Sequence, residues 1–172
     1  MKKALQKNIV ETFRKLTEII TSFSQEECNV VPYIGSWTAG QVVQHIIIAC
    51  SGYPALFAGN TEKTNRKPNE KIKELEAVFL NFAIKMDSPD FLQPKIIDYN
   101  KNSLSLSLLK IESDLLNSCE KYDLTLTCLD FQLPGSEKFT IYEWIHFALI
   151  HTQRHTKQLN DIFNYINHKL II

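Results

Sequence analysis

The stretch FTIYEWIHFALIHTQRHTKQLNDI, residues 139–162, carries a long helical pattern. Thr140 and Glu143 have the three-residue spacing of a capping box, so we predict that a helix begins at Thr140. Apolar side chains then recur every three or four residues, as on one face of an α-helix. This stripe comprises Ile141, Trp144, Ala148, His151, His155, Leu159, Ile162 and Ile166. We predict that the helix continues to about Lys169 and is roughly 40 Å long.

Two histidines interrupt the apolar stripe of this helix. His151 and His155 are four residues apart, so their side chains are separated by about 40° around the helix axis and by one turn along it. Two imidazoles in that arrangement can bind one ion, as in helical H-x-x-x-H metal motifs. The pair alone is equally consistent with two buried, neutral histidines that have only a structural role.

An earlier helix contains a third histidine of the same kind. His45 lies in an apolar stripe whose other members are Val42, Ala49, Tyr53 and Leu56. If both stripes face one core, three neutral imidazoles converge there, and a shared ion would offset the cost of burying them. Three histidines leave at least one coordination position open, as in catalytic rather than structural sites. They suit zinc, nickel or iron alike, so the metal stays open among these.

The rest of the chain is also helical in its pattern. Predicted helices cover residues 5–20, 38–58, 70–86 and 103–121, in addition to the last one. The second has a Thr38–Gln41 capping box, with Gly52 and Pro54 as weak points. Residues 59–70 are predicted to be a polar loop. The strand-like run 123–131 has no partner, so we expect extended loop there.

These elements predict an all-α fold. Four long helices and one additional short helix indicate a four-helix bundle that forms a single domain over residues 1–172.

Composition excludes several classes of function. The chain has 172 residues, with 19 basic and 19 acidic side chains and no net charge. A nucleic-acid-binding protein needs a basic face, so we expect no nucleic-acid partner. The five glycines assemble no dinucleotide-binding or phosphate-binding loop.

The N-terminus has no secretory signal, and no stretch approaches 18 uncharged apolar residues, so we expect no membrane span. The four cysteines are scattered, without a C-x-x-C pair. We therefore expect reduced thiols in a cytoplasmic protein.

Other side chains near the histidines are weaker candidates. Gln41, Gln44, Arg154 and Gln158 could orient ligands or bind an acidic substrate, although a solvent-exposed role is the simpler interpretation of each. Tyr53 is the best candidate for a hydroxyl in the pocket, and Trp37 is predicted to pack on the start of its helix.

Two histidines are predicted to lie outside the cluster. His146 is about 140° around the helix from His151, and His168 is close to the C-terminus. No catalytic base is identifiable, and no cysteine has a positioned base beside it.

Two segments resemble the DinB-like (DinB/YfiT-type) superfamily of metalloenzymes. WTAGQVVQHI, residues 37–46, is similar to the family segment that combines a tryptophan, a helix start and a ligand histidine. Residues 139–162 resemble its closing helix, T-x-x-E-W followed by H-x-x-x-H-x-x-Q. Pro134 and Gly135 before that helix also look similar to the family. Together with chain length and helix order, the resemblance covers nearly the whole chain.

The resemblance implies an up-down-down-up four-helix bundle with a three-histidine metal site, often homodimeric. The family's ligands fall on His45, His151 and His155. Characterised relatives include S-transferases and isomerases that depend on low-molecular-weight thiols such as bacillithiol or mycothiol. Residues 60–100 depart most from the family and are expected to shape the substrate pocket.

Our first hypothesis is a metal-dependent, thiol-dependent S-transferase that acts on a small electrophile. The alternatives are a metal-dependent hydrolase with the same ligands and a non-catalytic bundle that binds a metal or a small ligand.

Overall fold

The structure is a computed structural model that describes residues 1–169, so residues 170–172 of the predicted single domain lie outside its description. The chain is mostly helical, which confirms the all-α prediction at that level, and it contains one small two-stranded sheet. The α-helices are α1 (Lys2–Ser22), α2 (Ala39–Ser51), α3 (Tyr53–Ala58), α4 (Ile72–Phe79), α5 (Lys101–Lys121) and α6 (Ile141–Lys169). The strands are β1 (Thr61–Lys63) and β2 (Leu126–Cys128), and short 3-10 helices cover Glu27–Asn29 and Asp90–Leu92.

The four longest helices provide most of the core. Helix α1 contacts α5 and α6, and α2 contacts the same two helices. The apolar stripe of α1, a helix predicted over residues 5–20, is buried, with each large side chain contributing about 1.5–3 kcal/mol. Its members are Leu5, Ile9, Phe13, Leu16 and Ile20. The contact of α2 with α6 brings the two histidine-bearing stripes together.

Both predicted capping boxes are confirmed. The Thr38 backbone N–H donates to Gln41 Oε1 at 2.9 Å, and Thr38 Oγ1 accepts from the Gln41 N–H at 3.1 Å. The Thr140 N–H donates to Glu143 Oε2 at 3.0 Å, with the reciprocal bond at 3.1 Å. These boxes fix the starts of α2 and α6, the two helices that carry the predicted ligands.

The predicted helix over residues 38–58 is divided in two. Helix α2 ends at Ser51 and α3 begins at Tyr53, with Gly52 between them. The cause is Pro54, which has no N–H to donate and whose ring would clash with the carbonyl of Cys50 in a continuous helix. The chain therefore has two short α-helices among its described residues, α3 and α4, instead of the single one predicted.

Helix α4 is shorter than the predicted 70–86. It ends at Phe79 because Arg154 binds the backbone carbonyls that follow, donating to Phe79, Asn81 and Ile84. Side-chain donors satisfy these carbonyls in place of further helical turns. Helix α5 begins two residues earlier than predicted, because Asn100 caps it by accepting from the Ser103 N–H.

The prediction that residues 123–131 have no strand partner is wrong. Strand β2 pairs antiparallel with β1, with Thr61 opposite Cys128 and Lys63 opposite Leu126. The partner lies in the polar segment predicted to be a loop, and its T-E-K sequence has no strand-like alternation. At Gly59, just before β1, a Cβ atom would collide with Asp130 Oδ2, so a larger residue here would displace the Asp130 side chain, which accepts hydrogen bonds from Asn60.

One segment is more apolar than the expectation of no membrane span assumed. Ala39–Ala58 has the length and composition of a membrane-spanning helix, with a mean hydropathy of 1.2. Buried core helices can have the same length and composition. In this structure, 44% of the segment is buried inside the protein, and it is divided at Gly52 and packs on α5 and α6.

Candidate metal centre

The three predicted ligands meet between α2 and α6. His45 Nε2 lies 3.1 Å from His151 Nε2, and His155 Nε2 lies 3.0 Å from the same atom. His45 and His151 are buried, and His155 is partly exposed. The four-residue spacing on α6 and the packing of α2 against it are sufficient to produce this convergence.

The separations of the ring nitrogens fit three ligands of one ion. Zinc–nitrogen bonds are about 2.0–2.1 Å long, which places two ligand nitrogens about 3.4 Å apart at a tetrahedral angle and about 3.0 Å apart at a right angle. The observed 3.0–3.1 Å lies between, close to the right-angle value. The cluster could therefore hold a metal ion.

Hydrogen bonds on the far side of two rings leave their Nε2 lone pairs facing the centre. His45 Nδ1 lies 2.9 Å from the carbonyl oxygen of Leu92, which can only accept, so Nδ1 carries the proton. His155 Nδ1 donates to Gln158 Oε1 at 2.8 Å. A neutral ring protonated on Nδ1 has a free lone pair on Nε2. Partners of this kind orient the histidines of metal sites.

Hydrogen bonds among the three rings cannot pair all the Nε2 atoms at the centre of the cluster. His151 Nε2 faces the lone pairs of both other rings, and in a neutral ring it can carry at most one proton to share between them. A cation at the centre accepts three lone pairs at once. This observation, rather than residue type, favours a metal site over three structural histidines.

Burial keeps the three rings in the neutral form that binds metal. Desolvation is the main cause of the lowered pKa of His155, which falls to about 4, and the neighbouring His45 adds to it. Desolvation also lowers the pKa of His151 well below its usual value, with His155 and His45 as further causes. At His45 desolvation lowers the pKa, against the bond to Leu92, which raises it.

The four polar candidates have different roles in the structure. Gln158 orients His155, whereas Gln41 caps α2 and Arg154 binds backbone carbonyls. Gln44 is partly buried on α2 and makes no hydrogen bond with its side chain among residues 1–169. Gln158 is thus the one of the four that touches a predicted ligand.

Tyr53 lies in the cavity as predicted, whereas Trp37, predicted to pack on the start of α2, contacts His45 further along the helix. Tyr53 is buried and lines the same cavity as the cluster, and the Trp37 ring centroid is 5.1 Å from that of His45. His146 is half-buried beside Tyr142 and is not part of the cluster. His168 is exposed near the end of α6.

Two contributors come from residues 60–100, the segment expected to shape a substrate pocket. The Leu92 carbonyl binds His45 Nδ1, and Ser88 Oγ lies 3.4 Å from the same nitrogen. A backbone carbonyl has no signature in the sequence, so Leu92 could not be found from residue types. Ser88, beside Pro89 in an irregular segment, has no periodicity that would place it.

The cluster lies in a cavity of about 1700 Å³ that is large enough for a small molecule. Its walls come from α2, α3, α4 and α6 and from the segments around residues 33–37, 82–93 and 131–139. Part of the segment 60–100, namely α4 and the residues that follow it up to 93, lines this cavity, and binding of a substrate there stays a prediction.

Comparisons with models of protein families, with curated proteins and with solved structures find no match to this chain. The chemistry of the site therefore rests on the geometry of its own residues.

Proposed function

We propose that this protein is a DinB-like metalloenzyme in which His45, His151 and His155 hold one divalent ion. The observation that carries the proposal is the convergence of three Nε2 atoms at one wall of a cavity. Contacts of α1 and α2 with α5 and α6 support an up-down-down-up four-helix bundle. A homodimer, which the sequence resemblance implies, and a cytoplasmic location, which the four free thiols favour, belong to the same proposal.

The proposed reaction is transfer of a small external thiol to an electrophile. A bound divalent ion would supply positive charge that favours thiolate over thiol near neutral pH. The thiol proton passes to solvent, a sulfur–carbon bond forms, and the leaving group departs with the electrons of its own bond to carbon. The cavity walls hold the electrophile beside the cluster, and this proximity contributes to the rate.

The protein's own cysteines support an external source of sulfur. All four are free and buried. Desolvation raises the pKa of Cys28 and Cys119 to about 11 and that of Cys50 and Cys128 to about 12. Thiols with such pKa values are almost entirely protonated at pH 7 and are poor nucleophiles.

The test is an activity screen with protein loaded with zinc, nickel or iron. Bacillithiol, mycothiol and glutathione are each combined with a chloro-nitroaromatic electrophile, and loss of thiol is followed over time. We expect acceleration that depends on both metal and thiol. It should be abolished in His155→Ala, which removes a ligand, and retained in Cys50→Ser, which removes a buried thiol.

Two other results would contradict the transferase. Metal-dependent hydrolysis of an ester or amide without thiol would establish the hydrolase instead. Bound metal with neither activity would establish a non-catalytic binding bundle.

A further inference from the structure

One side of the cavity is a continuous aromatic surface that begins at the histidines. We call it the aromatic wall, and its members are Phe79, Phe131, Phe139, Trp144 and Phe147. The Phe147 ring stacks on the His151 ring, with centroids 5.8 Å apart and planes inclined by 24°. Further members follow at ring-centroid distances of 4.9 Å (Phe79 to Phe147) and 5.1 Å (Phe139 to Trp144).

The cation nearest the ligands in sequence is held by backbone carbonyls. Arg154 precedes His155, and it would be the natural partner of a carboxylate or phosphate. Its guanidinium instead donates to the backbone carbonyls of Phe79 at 2.9 Å, Asn81 at 3.2 Å and Ile84 at 2.5 Å. These bonds use three of the five N–H groups of Arg154 and hold the guanidinium against the backbone after α4, so the side chain cannot turn into the cavity without breaking them.

Two of the three lysines that line the cavity form ion pairs with acidic side chains. Lys71 Nζ lies 3.1 Å from Glu137, and Lys157 Nζ lies 2.8 Å from Asp161 and also over the Phe82 ring. Lys85 is the remaining cation that lines the cavity, and it is exposed.

Unpaired acids outnumber this one cation. Glu74, Asp87 and Asp90 line the cavity and form no ion pair with any residue of the described chain. Carboxylates without partners repel a ligand of the same charge, whereas an aromatic surface binds flat apolar rings. An anionic group thus meets three unpaired carboxylates, against two cations without an acidic partner among residues 1–169, the exposed Lys85 and the backbone-bound Arg154.

We infer that the cavity takes a neutral aromatic small molecule, bound against the aromatic wall with its reacting end at the histidines. In terms of the proposed function, on which this step rests, the electrophile is an uncharged aromatic compound and not an anionic metabolite.

A matched pair of fluorescent probes tests the inference on zinc-loaded protein. N-phenyl-1-naphthylamine is neutral, and 1-anilinonaphthalene-8-sulfonate has the same rings with one added sulfonate. We expect saturable binding of the neutral probe at about one site per chain, with a Kd about tenfold or more below that of the sulfonate. Equal or tighter binding of the sulfonate, or no saturable binding of the neutral probe, would overturn the inference.

Two alanine variants test whether the neutral probe binds at the aromatic wall. Phe131→Ala removes a partly exposed wall residue, so the protein should fold, and we expect the neutral probe to bind about fivefold or more weakly. Leu106→Ala, at an exposed site on α5 outside the cavity, is the control and should have no effect. Unchanged binding in Phe131→Ala would place the probe elsewhere and contradict the inference.

The charge test uses two reversals. Asp90→Lys adds a cation at the cavity and should strengthen sulfonate binding about threefold or more, whereas Glu11→Lys on α1 should not. Equal effects of the two reversals would contradict a role for the cavity acids. Zinc content is measured in parallel: loss of zinc with the probe preference intact contradicts only the proposed function, and bound zinc with a preference for the sulfonate contradicts only this inference.

Discussion

At the scale of single residues, the hydrogen-bond partners of Nδ1 in His45 and His155 decide what the cluster can bind. The Leu92 carbonyl and the Gln158 side chain hold protons on Nδ1 of His45 and His155, so both Nε2 atoms present lone pairs to the centre. If those partners were donors, the protons would move to Nε2 and the centre would be filled without an ion. The chemistry of the site thus depends on two acceptors outside the cluster.

Gln158→Leu should weaken zinc binding by about 10–100-fold, the usual effect of removing a partner that orients a ligand. The substitution takes away the acceptor of the His155 Nδ1 proton while leaving all three ligands in place. Competition with a chromogenic chelator measures the affinity. Gln153→Leu, at an exposed position on the same helix, is the control and should keep wild-type affinity. Equal affinities in the two variants would show that Gln158 does not orient the ligand.

The three histidines could be predicted from sequence because helical spacing is a local property. A four-residue interval on α6 and an apolar stripe on α2 specify which side chains share a face. Because both apolar faces pack into one core, the three histidines are brought together. Of the two acceptors, Gln158 was a candidate from the sequence, whereas Leu92 could not be predicted, because it acts through its backbone and reaches His45 across 47 positions of the chain.

At the scale of elements, Glu143 connects the start of α6 to the segment before α4. Its buried carboxylate accepts two bonds from Arg66, at 2.6 and 2.8 Å, and one from the Lys71 N–H at 2.9 Å. It also completes the capping box of α6 with Thr140. One side chain therefore fixes both the helix that carries two ligands and the approach to the cavity.

Glu143→Gln should lower the free energy of unfolding by about 3–5 kcal/mol, because it leaves the Arg66 charge without its buried partner. Urea unfolding at pH 7.5 measures the change. The exposed pair of Lys7 with Glu11 offers a matched control, and Glu11→Gln should cost less than about 1 kcal/mol. Similar costs for the two substitutions would mean that the buried pair contributes no more than a surface pair.

Helix ends were predictable where a side chain marks them locally, as at Thr38 and Thr140. They were not predictable where a distant residue decides, as with Arg154 at the end of α4. Strand β1 is the clearest example, since its T-E-K sequence becomes a strand only because β2, more than 60 residues away, lies beside it.

At the scale of the whole molecule, the buried histidines couple stability to pH. A histidine in the unfolded chain titrates near pH 6.5, whereas His155 in the folded protein titrates near 4, chiefly because of desolvation. Between these values the unfolded chain binds more protons than the folded one. Stability therefore rises with pH across this window and is lost as the pH falls through it.

Metal-free protein should lose roughly 2 kcal/mol of unfolding free energy between pH 7 and pH 5 from His155 alone, and more with His151 and His45 included. Urea unfolding in the presence of a chelator measures this loss. His155→Leu removes one titrating group and should show a smaller dependence on pH. A free energy that stays constant or rises on acidification would contradict neutral, buried histidines.

The most direct measurement of the central claim is the metal content of the purified protein at pH 7.5, determined by elemental analysis after incubation with zinc, nickel or iron. We predict about one divalent ion per chain, because the three converging imidazole nitrogens define one site. His45→Ala, His151→Ala and His155→Ala should each lose most of it, while His146→Ala keeps it. In the wild-type protein, His151 Nε2 lies within 3.1 Å of Nε2 of both other histidines. A full complement of bound metal in the His151→Ala variant would therefore contradict the account.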